Sequence, residues 1–277
     1  MTNNFQLTLP VDSSASGALL VEVPHAGLTI PVELADDYLA PAEAVMRDAD
    51  IFVDRLYANA PSHGAALLTT HVSRYVVDLN RAPSDVDVVS VPDHPSPGAL
   101  QPRGVIWRAT TDGRPILRRP LTFDALQERL ARYYTPYHSA LQQYVERSRR
   151  RCGYAVVLAA HSMPSAGRSL HTDSGSRRAD VVPGTLGRSS ADARVIDLVD
   201  AHFRDAGLSV QHDTPYRGGF TTGHYGKPKQ GVHVIQVELN RALYVDESTF
   251  VPREPGFAEL RVLLDALVPK LAALTLA

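Results

Sequence analysis

The sequence predicts an α/β fold, a single domain built on a mixed β-sheet flanked by helices, and three observations carry this. Apolar runs of strand length alternate with amphipathic helical segments along the 277 residues, with no linker, internal repeat or low-complexity block between them. The run Tyr154–Ser165, YAVVLAAHSMPS, stays apolar until it reaches His161 and breaks at Met163-Pro164, the pattern of a strand covered on both faces. Two other runs also end on polar groups: Ala18–Val23 leads into Pro24-His25-Ala26-Gly27, and Val232–Val237 leads into Glu238. Ligands in open α/β sheets bind outside the carboxyl ends of the strands, so two histidines and a glutamate at three such ends point to one site. Any one of them alone reads as a satisfied boundary residue; their recurrence makes the case.

Taken in order, residues 1–17 form a poorly ordered or edge-packed lead-in, and Ala18–Val23 is the first strand. Gly27 lets the following turn take dihedrals that a β-carbon forbids. Val45, Ala49, Val53, Leu56 and Ala60 keep a helical period, which predicts a helix over Ala42–Ala60 with Asp50 and Asp54 one turn apart. Ala65–Thr70 and Arg74–Leu79 read as consecutive strands. The Pro-, Asp-, Gly- and Arg-rich segment 82–120 has no period and reads as a functional loop with a hairpin near Asp112-Gly113. Thr122–Arg149 is a long amphipathic helix, N-capped by Thr122 and kinked or divided at Pro136, and the basic run Arg147–Arg151 suits its C-terminus. Ser165–Ser189 reads as a second polar loop, Ser190–Gly207 as a helix with a serine cap and a glycine stop, and Leu208–Gln211 as a short strand. A glycine-rich loop at 216–226 precedes the strand Val232–Glu238, and Phe257–Leu274 is a closing helix interrupted near Pro269.

A formal charge of −2 with intermixed signs gives no basic field for nucleic acid and no polybasic patch for a membrane, which leaves a small molecule as the expected partner. No apolar run reaches the roughly 20 residues that span a bilayer, and the start lacks a signal-peptide pattern. One cysteine, Cys152, excludes an intrachain disulfide, so a cytoplasmic location is expected; the thiol precedes a core strand and reads as buried and inert. Oligomeric state is not legible.

Two imidazoles and a carboxylate are the usual protein ligands of a hydrolytic zinc. His25 and His161 supply the imidazoles; Asp50 is the first choice for the carboxylate and Asp54 the second, because their helix follows the His25 turn. The alternative is that the pair forms a solvated face or is salt-bridged to Arg47 and Arg55. Glu238 has the chemistry and position of a general base for amide hydrolysis. Arg74, Asn80 and Arg81 suggest recognition of an anion or polarisation of a carbonyl, against the alternative of ion pairs with Asp78 or Asp85. Arg217 offers a clamp for a second carboxylate, and His224 and Tyr225 offer donors beside it.

Eight collinear segments, VEVPHAGLTIP, DADIFVDRLY, SRYVVDLNRAP, WRATTDGRPI, YYTPYHSAL, AAHSMPS, GGFTTGHYGKP and VIQVELNRALYVDE, resemble the N-formylglutamate amidohydrolases, or deformylases, from about Leu20 to about Glu247. The resemblance implies a phosphorylase/hydrolase-like, zinc-exopeptidase-like fold and hydrolysis of N-formyl-L-glutamate to formate and glutamate in histidine catabolism. A more distant likeness to zinc carboxypeptidases and aspartoacylases implies one Zn²⁺ or other divalent ion on His25, Asp50 and His161, Glu238 as the base, and Asn80-Arg81 on the substrate carboxylate. Arg74 is then the oxyanion donor. The chain departs from the family where Arg217-Gly218-Gly219-Phe220 stands for a Lys-Gly-Gly-aromatic sequence and Gly223 stands for an arginine. The lost guanidinium makes a related N-formyl or N-acyl amino acid an alternative substrate. The rival readings are a zinc carboxypeptidase or amidase on short peptides and a catalytically silent binding module on the same fold.

Overall fold

The computed structural model describes residues 4–11, 17–98 and 103–276. Residues 1–3 and 12–16 of the expected lead-in, and residues 99–102 of the expected long loop, lie outside them. Six strands form one mixed sheet in the order β1-β3-β2-β4-β6-β5: β1 Phe5–Thr8, β2 Leu19–Val23, β3 Ala66–Thr70, β4 Ala155–Met163, β5 Val181–Gly184 and β6 Val232–Asn240. The central strands β3, β2, β4 and β6 run parallel, and the edge strands β1 and β5 are antiparallel to their neighbours. A two-stranded ribbon, β7 Val245–Asp246 and β8 Val251–Pro252, follows β6.

Alternation along the strands divides the core in two. Leu19, Val21 and Val23 of β2, with Leu158 and Ala160 of β4 and Ile235 and Val237 of β6, face the layer of α2 (Val53–Leu56), α5 (Ala193–Asp205) and α7 (Gly256–Ala272). Leu20, Leu68, Val157 and Val234 face the opposite layer of α3 (Phe123–Arg129) and α4 (Thr135–Cys152), together with residues from 72–98 and 103–121. Because both faces are covered, β2, β4 and β6 are buried at every position, as their apolar runs require.

Several elements differ from the sequence reading. The expected helix Ala42–Ala60 is two short ones: α1 (Ala42–Asp48) stops at Ala49, which is extended, and α2 starts after Phe52 at φ 65°. The backbone N–H of Asp50 donates to His25 O (2.9 Å), so the break turns Asp50 inward while helices on either side keep the apolar period. Arg74–Leu79 is not a strand. Val76 N closes a turn onto Ser73 O, and Asp78 N donates across the fold to Val105 O, so the segment's consecutive apolar residues are buried without a ladder. The expected Ser165–Ser189 loop contains β5, whose Pro183 is tolerated because the strand lies at the sheet edge. Leu208–Gln211 contributes only a single bridge, Val181 to Val210, and the cap of α5 is Asp192, which accepts from Arg194 N. Ser190 instead bonds Val234 O (2.7 Å).

Thr122 caps α3 as expected, accepting from Ala125 N, but a π-helical turn over Leu130–Tyr134 separates α3 from α4, and Pro136 sits in the first turn of α4, where a missing N–H costs nothing. The glycine-rich stretch folds into the short helix α6 (Phe220–Tyr225). Pro269 lies inside α7 rather than ending it. The expected hairpin near Asp112 is present as the bridge Ala109 to Pro115, and Cys152 is half-buried in the last turn of α4. Among the described residues, no helix is long and apolar enough to cross a membrane.

Candidate active site

The carboxyl ends of β2, β4 and β6 meet at a cavity of about 340 Å³ lined by His25, Asp50, His161 and Glu238 among others. Both β4 and β6 run further than the sequence reading placed them. His161 and Glu238 therefore sit inside paired strands, directly opposite each other in the parallel register, rather than one step past the strand ends. This gives both side chains a ladder-fixed backbone. His25 comes from the turn after β2, where Gly27 is required by close approach and not by its dihedrals: a Cβ there would lie 2.5 Å from the His71 carbonyl carbon and Val72 O, and Gly27 is absent from the positive-φ glycines.

One ligand atom each from His25, Asp50 and His161 lies within 4.8 Å of the others, and all three residues are buried. Asp50 Oδ2 is 2.9 Å from His161 Nδ1 and 3.5 Å from His25 Nδ1, and the latter nitrogen is buried with no hydrogen-bond partner among the described residues. On its other side, His25 Nε2 is 2.8 Å from Asp78 Oδ1. Burial and Arg74 oppose protonation of His25, yet Asp78 and Asp50 together hold its pKa above the ordinary imidazole value. Burial likewise opposes ionisation of Asp50, but the two histidines hold its carboxyl well below the usual range. A buried carboxylate facing two imidazoles is a cluster that could hold a cation. The donor set fits a divalent metal, and Asp78 is the outer carboxylate that orients such a histidine. Asp54, the second choice from the sequence, is outside the cluster.

Burial raises the pKa of Glu238, while His161 pulls it down and Asp50 pushes it up. Gln236 Nε2 donates to Glu238 Oε1 (2.8 Å), and Gln236 Oε1 accepts from Gly219 N (2.9 Å) and Asn80 Nδ2 (3.2 Å). One amide thereby ties the carboxylate to the glycine loop and to Asn80. Asn80 also reaches His161 Nε2 at 3.3 Å, and its Oδ1 accepts from Thr221 N. Asn80, Arg81 and Arg217 all line the cavity. A Cβ at Gly219 would lie 2.3 Å from Asn80 Nδ2, so only glycine lets the loop pack there.

Arg74 lines the same cavity, but it is the ion-pair alternative that its contacts display. Its Nη2 is 2.7 Å from Asp78 Oδ2, and its guanidinium lies 4.4 Å over the Trp107 ring. Trp107 Nε1 donates to that same Asp78 oxygen at 2.9 Å. Arg74 and Trp107 thus fix the carboxylate that orients His25. His224 and Tyr225 do not come to the cavity. His224 is exposed and stacked on Phe220, and Tyr225 OH meets His138 Nδ1 at 3.0 Å, because α6 turns both rings away from the glycine loop.

The sequence reading missed Gln236, Tyr216 and Ser162, which complete the walls, and Glu22 behind the sheet, and it took Asp78, buried beneath His25, only for a counter-ion. Glu22 is fully buried on β2, accepts from Tyr137 OH and Thr221 Oγ1 (both 3.2 Å), and its other oxygen has no hydrogen-bond partner among the described residues. Burial pushes its pKa up to about 7, against the lowering by His161 and the two hydrogen bonds. A group whose folded pKa is raised contributes full stability below its unfolded value and loses it as pH rises through the folded one. Glu22→Gln is therefore expected to match the wild type at pH 4 and to exceed it at pH 8 by on the order of 2 kcal/mol, read by urea unfolding of the chelated protein.

Comparison with known proteins places this chain in a family. The chain is 33% identical over 259 residues to an N-formylglutamate deformylase of Pseudomonas aeruginosa, covering 90% of this chain and 92% of that one. It is 29% identical to an N-formylglutamate deformylase of Pseudomonas putida, with 92% of each chain covered. The crystal structure of an N-formylglutamate amidohydrolase from Ralstonia eutropha superposes with a TM-score of 0.88 at 31% identity, over 98% of this chain and 97% of that one. The sequence profile of the N-formylglutamate amidohydrolases matches residues 17–245, which hold every side chain of the cavity, and this chain belongs to that family.

Proposed function

We propose that this chain hydrolyses the amide bond of N-formyl-L-glutamate, releasing formate and L-glutamate, on a zinc-exopeptidase-like single-domain fold. The observation that carries the reading is the convergence of His25, Asp50, His161 and Glu238 on one buried cavity in a chain of this family. His25, Asp50 and His161 would hold one Zn²⁺ or another divalent ion. Such an ion, when bound, polarises a carbonyl and lowers the pKa of water toward neutrality.

The chain's own residues supply the rest. Glu238 takes a proton from the attacking water and delivers it to the leaving nitrogen, so that water adds across the C–N bond and the amine departs as glutamate. Gln236 keeps one Glu238 oxygen occupied, which leaves the other for the proton. Asp78 holds His25, and Arg74 holds Asp78 while presenting a cationic wall to the developing oxyanion. Asn80, Arg81 and Arg217 orient the carboxylates; among the described residues neither Arg81 nor Arg217 makes an ion pair. His224 and Tyr225 have no part in this account. The place of action is the cytoplasm, in histidine catabolism.

The test is formate release by purified protein from N-formyl-L-glutamate, N-formyl-L-aspartate and N-acetyl-L-glutamate. Preferential turnover of the first supports the reading. Turnover of short peptides with none of these compounds would move the chain to the carboxypeptidase alternative.

A further inference from the structure

Next to the cavity lies a side pocket of about 130 Å³ that shares Asp50, Arg74, Arg81, Ser162 and Tyr216 with it. Its walls carry the guanidinium groups of Arg74, Arg81, Arg103, Arg168 and Arg241 against the carboxylates of Asp48 and Asp50. Three of these cations are committed: Arg74 to Asp78, Arg168 to Asp48 (2.7 Å), and Arg241 to Asp50 (3.4 Å) and Ser162 (3.1 Å). Arg103 is different. Its Nη2 donates to Leu170 O at 3.1 Å, but its Nη1 is buried with no hydrogen-bond partner among the described residues. His171, also in the wall, accepts at Nδ1 from Arg168 N (3.0 Å) and Arg178 Nη2 (2.8 Å), so its neutral form carries its proton on Nε2 and adds another donor.

A buried charged donor left without an acceptor is costly, and a pocket that offers donors in excess is complementary to a carboxylate. We infer that this pocket is the subsite for the side-chain carboxylate of the substrate, with Arg103 as its specificity-determining residue and Arg81 bridging pocket and cavity. The inference rests on the reading of the cavity as an N-formyl dicarboxylate hydrolase. It moves selectivity for the second carboxylate from the exposed Arg217 to this side pocket, whose lining does not include Arg217.

The experiment compares wild type, Arg103→Met and Arg103→Lys on N-formyl-L-glutamate and N-formyl-L-methionine by formate release, and measures glutarate and butyrate binding to each protein by calorimetry. Arg103→Met is expected to lower the kcat/KM ratio of the glutamate over the methionine compound by roughly 10- to 100-fold, chiefly through KM, with Arg103→Lys restoring part of it. It is also expected to weaken glutarate relative to butyrate. An unchanged ratio together with unchanged glutarate preference overturns the inference while leaving the deformylase reading intact. If the wild type releases no formate from either compound, that reading fails on its own. Glutarate binding then decides the pocket: tenfold weaker binding to Arg103→Met upholds it, and equal binding overturns it.

Discussion

Replacing Glu238 by Gln is expected to lower kcat by about 100- to 10,000-fold, the usual contribution of a positioned general base, while the bound metal per chain is unchanged. Gln keeps the shape of the carboxylate and an acceptor for Gln236 Nε2, so the network through Gly219 and Asn80 has no reason to collapse. The residual activity should lose the acidic limb of its pH profile. Burial raises the Glu238 pKa above the ordinary carboxylate value, and the base works only when ionised, so wild-type kcat falls as pH drops through that raised value. Rate measurements across pH on both proteins, with metal content determined in parallel, check this. Equal turnover would remove Glu238 from the chemistry and favour a silent binding module.

Asp50→Ala is expected to abolish both stoichiometric metal binding and turnover, since it removes the group that faces both imidazoles and leaves His25 and His161 to meet across an empty centre. Asp78→Asn separates ligation from orientation. It keeps an acceptor toward His25 but loses the charge, and outer carboxylates of this kind typically contribute 10- to 100-fold in affinity, so metal should bind about that much more weakly. Competition with a chromogenic chelator reads both variants. An Asp50→Ala protein that still holds one ion per chain would move the metal elsewhere.

How much of this was legible in the sequence depends on how local each signal is. His25, His161 and Glu238 stood out because each is polar in or just after a buried strand, and apolar runs announce themselves. The choice of Asp50 rested on its nearness to His25 in the chain. Its apolar neighbours keep one helical period through Ala60, and nothing in that pattern reveals the extended break at Ala49 that turns the carboxylate inward. Arg74–Leu79 has strand composition but folds as turns, because its backbone partners lie at Val105 and Ser73 rather than in a neighbouring strand. Asp78 read only as a possible counter-ion. Its position between His25, Arg74 and Trp107 depends on contacts across up to 53 residues of sequence. Gln236 and Glu22 point from strands into layers whose composition local pattern cannot supply, and Arg103 lies in a segment with no period at all. His224 and Tyr225 read as substrate donors by their proximity to Gly218-Gly219 in the chain, and α6 turns them onto Phe220 and His138.

The most direct test of the central claim, that His25, Asp50 and His161 form the catalytic metal centre, is a titration of chelated protein with Zn²⁺ while formate release from N-formyl-L-glutamate is followed. The account predicts negligible activity without metal, a linear rise that breaks at one ion per chain, and no rise in Asp50→Ala. Full activity in rigorously chelated protein, or an undiminished rise in Asp50→Ala, would contradict it.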